Sequence, residues 1–151
     1  MIHHPGNGGR ALLAFRAAVW YTINMTDVAK QVAFWRDSSE EDWDVAAELI
    51  KTRHARHGLF FAHLALEKLL KALVVQKMED LAPRLHSLVR LAELAGLSPD
   101  EKQIDTLAEM NAFNIEGRYP ELVMAPPSQA EAKRLLRRAE EVRVWLTAQL
   151  R

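Results

Sequence analysis

The hydrophobic positions of this chain recur at intervals of three and four residues, which is the spacing of amphipathic helices. The densest run extends from Leu59 to Lys77, where apolar side chains surround most of a helix and leave one narrow polar stripe. That stripe consists of His63, Glu67, Lys68 and Lys71. A helix this apolar has to be covered by other helices on nearly all sides. We therefore place it at the centre of the fold.

Four further segments after residue 38 show a helical pattern. They are predicted to begin near Ser39, Leu85, Ser98 and Ser128. The last two have the composition of helix starts, with a serine N-cap and an acidic residue three positions later. We also predict a break at Gly58, a helix end at Gly96 and a non-helical segment from Asn114 to Pro120. Short connections between antiparallel helices predict an all-α fold, an up-and-down bundle of about five helices.

The first 24 residues differ from the rest of the chain because they contain no acidic residue. Met25-Thr26-Asp27 also looks like a natural start. We expect residues 1–24 to be an N-terminal extension that is disordered or a start-site artefact, and residues 25–151 to form the helical domain. The alternative is an additional helix over Arg10 to Tyr21.

Composition excludes several classes of protein. Basic and acidic residues number 20 each, so no net charge attracts the chain to nucleic acid or to anionic lipid. The absence of cysteine excludes disulfides and thiolate zinc sites and fits the cytoplasm. The apolar stretch Ala11 to Ile23 is too short to span a bilayer, so no membrane association is predicted. His54 and His57 lack further ligands and no Gly-rich phosphate loop is present, so we predict neither a metal nor a cofactor.

Three sequence motifs and the last helix together point to a family. The motifs are Phe61-Ala62-His63-Leu64-Ala65-Leu66-Glu67-Lys68-Leu69-Leu70-Lys71-Ala72-Leu73, Leu85-His86-Ser87-Leu88 and Asn114-Ile115-Glu116-Gly117-Arg118-Tyr119-Pro120. In this order, followed by an Ala-rich last helix, they resemble the HEPN family (higher eukaryotes and prokaryotes nucleotide-binding) from about Asp27 to Leu150. The resemblance implies a helical bundle that is often dimeric and is encoded beside a minimal nucleotidyltransferase. Such pairs can act as toxin–antitoxin systems.

The resemblance and the polar residues together predict a ligand-binding groove. Its members are Lys68, Lys71, Arg84, His86, Asn114, Arg118 and Tyr119. Arg118 would bind phosphate, and Tyr119 would stack on a base or donate a hydrogen bond. The alternatives left open are a solvated ion pair on the core helix, a structural His86 at a helix start, and an Arg118 that caps helix carbonyls. The tryptophans Trp43 and Trp145 are expected to anchor a second copy in a homodimer.

Many HEPN proteins are metal-independent ribonucleases with an R-x4–6-H pair, in which His accepts the 2′-hydroxyl proton and Arg stabilises the phosphate charge. No histidine follows Arg118. Arg56 and His63 have the spacing, but they lie before and within the core helix. Enzyme activity therefore stays open, with His63, His86 and Arg118 as catalytic candidates.

Three hypotheses follow from the sequence. The first is a HEPN-type nucleotide- or RNA-binding module that works with a minimal nucleotidyltransferase partner. The second is an endoribonuclease toxin, and the third is a non-catalytic helical adaptor.

Overall fold

The computed structural model describes residues 8–119 and 125–151, and within them the side chains of all residues except 20–26 and 115–118. These parts of the chain form six helices and no strand. The helices are α1 (Gly8–Thr26), α2 (Val28–Lys51), α3 (Ala55–Met78), α4 (Leu88–Leu94), α5 (Glu101–Arg118) and α6 (Gln129–Gln149). The predicted all-α class is confirmed. No helix in the described residues is both long and apolar enough to cross a membrane.

Helix α3 lies at the centre and contacts α2, α4, α5 and α6. Its apolar side chains, such as Leu59, Leu66 and Leu70, are completely buried. Helix α6 runs parallel to α3, since the Gln76 side chain near the end of α3 donates a hydrogen bond to the carbonyl of Gln149 at the end of α6. The prediction that the most apolar run forms the centre of the bundle is therefore confirmed.

Helix α2 packs antiparallel to α3, and two predictions about this pair are wrong. Ser39 does not start a helix, because α2 begins at Val28. Ser39 lies instead in the middle of α2, buried, where its hydroxyl donates a hydrogen bond to the carbonyl of Ala65 in α3 at 2.6 Å. A serine suited to an N-cap is equally suited to bonding a neighbouring helix, and only packing distinguishes the two roles.

Gly58 does not break the core helix either. The break falls at residues 52–54, where Arg53 has a φ of 66°. Gly58 lies inside α3, and a Cβ atom at this position would approach Ile50 Cδ1 to 2.6 Å. The glycine therefore permits the close approach of α2 and α3 beside their connection.

The C-terminal end of α4 and the start of α6 follow the sequence closely, whereas α4 begins at Leu88 rather than near Leu85 as predicted. Ser87 is the N-cap of α4, and its hydroxyl accepts a hydrogen bond from the Arg90 backbone N–H. Gly96 follows the end of α4 with a φ of 69°. Ser128 and Glu131 form the predicted capping box at the start of α6.

Helix α5 differs from its prediction at both ends. Its N-terminal cap is Asp100 rather than Ser98, because Asp100 Oδ1 accepts from the Gln103 backbone N–H at 2.8 Å and Gln103 Oε1 accepts from the Asp100 backbone N–H at 2.8 Å. At the other end the helix continues to Arg118. The prediction of a non-helical segment is therefore wrong for residues 114–118, and Pro120 lies outside the described residues.

Trp43 is not available as an anchor for a second copy. It is 8% exposed and belongs to the core, with the Arg143 guanidinium 4.9 Å from the centroid of its ring. A hydrogen bond to Glu140 raises the pKa of Arg143. The other expected anchor, Trp145, is partly buried against the core.

Helix α1 precedes α2 with only Asp27 between them. Its residues from Gly8 to Val19 are all exposed. The helix agrees with the alternative that was left open for Arg10 to Tyr21. The domain boundary at residue 25 and the upstream start stay predictions.

Candidate functional site

The polar stripe of α3 forms a buried cluster. His63, Glu67 and Lys71 are spaced by four residues and therefore share one face of the helix. They are only 0%, 5% and 7% exposed. Lys71 Nζ donates a hydrogen bond to Glu67 Oε1 at 2.9 Å, and Glu67 Oε2 lies 3.7 Å from His63 Nδ1. The expected ion pair is confirmed, but it is buried rather than solvated.

Two residues from other segments complete this arrangement, which we call the Glu67 cluster: His63, Glu67, Lys71, Trp35 and His86. The ammonium of Lys71 lies 5.4 Å from the ring centroid of Trp35 in α2, a distance at which the ring face attracts a cation. His86 Nδ1 lies 3.0 Å from Glu67 Oε1. The carboxylate thus joins a buried ammonium to an imidazole on the segment before α4.

His86 is the member of the cluster that reaches the surface, because its side chain is 55% exposed. An ionised carboxylate only accepts hydrogen bonds, so the bond to Glu67 requires the proton on Nδ1 and leaves Nε2 of the neutral ring as an acceptor. The arrangement can therefore accept a proton, or, once protonated, bind an anion. His63 has no comparable access to a ligand, since it is completely buried.

Lys68 lies apart from the Glu67 cluster, although it is adjacent in sequence. Its Nζ lies 2.6 Å from Asp42 Oδ2 and donates a hydrogen bond to Ser38 Oγ at 2.8 Å. Both partners belong to α2. Lys68 thus links α2 to α3 in this structure.

The other predicted binding residues lie along α5 and the segment before α4. Arg84 is exposed two positions before His86, and Tyr119 is 52% exposed immediately after α5. Asn114 is partly buried within α5, and Arg118 is the last residue of that helix. These predicted residues therefore divide into a part at His86 and a part at the C-terminal end of α5.

Asn111 connects these two parts and was not predicted. Its Oδ1 accepts a hydrogen bond from the Leu88 backbone N–H at 2.8 Å, which holds α5 against the start of α4. Asn111, Asn114 and Arg118 follow at intervals of three and four residues, so they share one register of α5. The available signal was an asparagine beside the apolar stripe of a helix, which sequence alone does not assign to a partner.

Arg56 and His63 lie seven positions apart within α3, about two turns of the helix. Because Gly58 does not interrupt α3, they share one side of it. The complete burial of His63 keeps it from contacting RNA, so this pair does not supply the R-x4–6-H chemistry. Over the residues that the structure describes, no group of three or more potential metal ligands is found.

The topology defines the class of protein: a helical bundle around one apolar helix that carries a buried carboxylate–ammonium pair. The family model of the HEPN domain matches residues 32–149. The chain therefore belongs to the HEPN family, as the resemblance indicated.

Two solved structures are similar to most of this chain. ST0689, an archaeal HEPN homologue, has a TM-score of 0.63 and 21% identity, over 80% of this chain and 98% of that chain. TT1696 from Thermus thermophilus has a TM-score of 0.68 and 21% identity, again over 80% of this chain and 98% of that chain. At this level of identity the two structures establish the fold. The search of curated proteins found no significant match.

Proposed function

We propose that this protein binds nucleotide or RNA through a surface that extends from His86 to Tyr119. The observation that carries the proposal is the half-exposed imidazole of His86, held at 3.0 Å by the buried carboxylate of Glu67. A ring already fixed by a buried partner loses little further rotamer freedom when it binds a ligand. Membership of the HEPN family supports the same class of ligand.

The spacing of the surface favours a strand over a single phosphate. Asn111 holds α5 beside residue 88, and Arg118 ends the helix about two turns, or about 10 Å, further along the same register. Arg84 and Tyr119 are exposed at the two ends. Positive charge at one end and an aromatic ring at the other are suited to a backbone phosphate and an unstacked base.

Fluorescence anisotropy with labelled single-stranded RNA, at several salt concentrations and with ATP as a competitor, tests the proposal. We expect affinity to fall as salt rises, because phosphate binding releases counterions. His86→Ala is expected to weaken binding at least about ten-fold, the scale of one charge-assisted contact. The exposed His54, at the start of α3, supplies the matched control His54→Ala, which is expected to bind normally. Absence of binding to both RNA and ATP at low salt would overturn the proposal.

One observation favours a second function, metal-independent endoribonuclease activity. The His86–Glu67 hydrogen bond is the arrangement of a general base oriented by a carboxylate. His86 Nε2 would accept the proton of a ribose 2′-hydroxyl while the 2′-oxygen attacks phosphorus and the bond to the 5′-oxygen breaks. A proton from water completes the 5′-hydroxyl, and the other product is a 2′,3′-cyclic phosphate.

Incubation of RNA with the protein in EDTA, followed by analysis of the fragment ends, tests this second function. Cleavage with cyclic phosphate ends that is lost in His86→Ala and retained in His54→Ala would support it. RNA that stays intact would exclude it and leave the binding function standing.

The partner and the biological role are parts of the same proposal. We propose a cytoplasmic protein that works with a minimal nucleotidyltransferase, in the manner of a toxin–antitoxin pair, because the HEPN resemblance implies this association. Co-expression with the product of a neighbouring nucleotidyltransferase gene, followed by co-purification and growth measurements with each gene alone, is the test. Failure to co-purify and normal growth in every combination would contradict it.

A further inference from the structure

Helix α1 exposes an unusual amount of apolar surface. Leu12, Leu13, Phe15 and Val19 are 58%, 68%, 66% and 40% exposed. Most of the stability of a helix in a protein comes from packing of its apolar face, and contiguous exposed apolar patches mark interaction sites. A surface that covers α1 is therefore expected.

The connection to α2 prevents α1 from being covered by its own α2. Only Asp27 separates the two helices, whereas an antiparallel helical hairpin needs a loop of about two to five residues. In the structure α1 makes few contacts with α2. The covering surface must then belong to another molecule.

Charge identifies a complementary surface on the same chain. Helix α1 contains Arg10 and Arg16 and no acidic residue. The outward side of α2 carries an acidic stripe at helical spacing, whose members are Asp37, Glu41, Asp44 and Glu48, all exposed. Two apolar side chains on the same side of α2 are Phe34 and Val45, which are 63% and 41% exposed. An apolar, basic helix thus has a partly apolar, acidic counterpart.

Two of these carboxylates already have basic neighbours within the chain. Asp37 pairs with Arg36 at 2.9 Å, and Asp44 contributes to raising the pKa of Arg143. Glu41 and Glu48 are therefore the acidic residues best placed to receive arginines from another molecule.

We propose that α1 of one copy packs on the outward side of α2 of a second copy, and that the exchange is reciprocal about a two-fold axis. A helix of 19 residues is about 28 Å long and about 10 Å wide. Two such contacts bury on the order of 1,000 Å² in total, the lower end of specific interfaces. The dimer is accordingly expected to dissociate on dilution, and to weaken at high salt because part of its stability is electrostatic.

Sedimentation equilibrium on the full chain, over a range of protein and salt concentrations, tests the proposal. Arg10→Glu/Arg16→Glu is expected to weaken dimerisation at least about ten-fold, since it removes two attractions and adds two repulsions. Glu41→Arg/Glu48→Arg is expected to do the same. An equimolar mixture of the two variants should form heterodimers in which both α1–α2 contacts are attractive, one as in the wild type and one with the charges exchanged. The chain carrying all four changes should form homodimers again.

Arg134→Glu/Arg137→Glu is the matched control, because these arginines are exposed on α6 and lie outside the proposed interface. It should leave the dissociation constant unchanged. Circular dichroism checks that every variant keeps its helix content.

Three results would overturn the proposal: a monomer at all concentrations, a dimer unaffected by either charge reversal, or failure of the quadruple variant to recover. Binding of the wild-type monomer to phosphatidylserine vesicles, lost in Arg10→Glu/Arg16→Glu, would also overturn it by assigning α1 to a lipid surface. The test is independent of RNA binding, so it stands or fails separately from the proposed function.

Discussion

Replacement of Lys71 by methionine is expected to destabilise the bundle strongly, because it leaves the buried carboxylate of Glu67 without its ammonium. The two charged atoms lie 2.9 Å apart, and both side chains are at least nine-tenths buried. At an effective dielectric constant of about 20, their attraction is about 6 kcal/mol. Removing Lys71 recovers the desolvation cost of the ammonium but leaves the carboxylate buried without its partner, and such a change typically costs about 3–5 kcal/mol.

Two contacts set where in that range the variant falls. Lys71→Met also removes the cation from the face of Trp35, although methionine retains most of the packing volume. Glu67 keeps its hydrogen bond from His86, which continues to stabilise the carboxylate. We therefore expect a loss of about 3 kcal/mol in the free energy of unfolding, the lower end of the range.

Urea unfolding followed by circular dichroism at equilibrium measures this loss. The double variant Glu67→Met/Lys71→Met should lose about 1 kcal/mol or less, because well-packed apolar side chains often replace a buried ion pair at little cost. Lys133→Met, at an exposed position on α6, is the control and should stay within about 0.5 kcal/mol of wild type. A loss below about 1 kcal/mol for Lys71→Met, or a double variant at least as unstable as Lys71→Met, would refute the reasoning.

Three further predictions concern stability and use the same urea assay. Gly58→Ala should destabilise the protein by about 1–2 kcal/mol. The new Cβ would clash with Ile50, which costs about 1–3 kcal/mol, while the higher helix propensity of alanine stabilises by about 1 kcal/mol. A variant as stable as wild type would show that α2 and α3 separate easily here. Ser39→Ala should lower the free energy of unfolding by about 1 kcal/mol, because the hydrogen bond from its hydroxyl to the carbonyl of Ala65 is lost. An unchanged urea midpoint would contradict a contribution from that hydrogen bond. Gly96→Ala should cost about 1–2 kcal/mol because φ is 69°, and a stabilised variant would mean that the chain after α4 rearranges.

The features that the sequence predicted well depend only on residues close together in the chain. The position of α3 follows from an apolar run too continuous for a helix at the surface. The capping box at Ser128 depends on residues three positions apart, and the helix end at Gly96 depends on one residue that tolerates positive φ. None of these needs information about a distant part of the chain.

The predictions that were wrong each involve a residue with two possible local roles. Ser39 suits an N-cap or a bond to another helix, and Gly58 suits a break or a close helix crossing. Asp100 and Ser98 both suit a helix start, and the hydrogen bond to the side chain of Gln103 makes Asp100 the cap. The extension of α5 through Asn114 to Arg118 is likewise outside what local propensity predicts, because the buried Met110 and Phe113 anchor that end of the helix in the core.

Some features of the candidate site likewise follow from the sequence, and others depend on tertiary packing. Sequence alone determined the family, the all-α bundle and the Glu67–Lys71 pair, since a spacing of four residues places two side chains together on any helix. Only the tertiary structure decided that this pair is buried, that Lys68 turns to Asp42, and that His86, nineteen positions away in the chain, shares the carboxylate of Glu67. Those contacts arise between separate helices and a connecting segment, and their distances are fixed by the packing of the whole core rather than by any stretch of sequence.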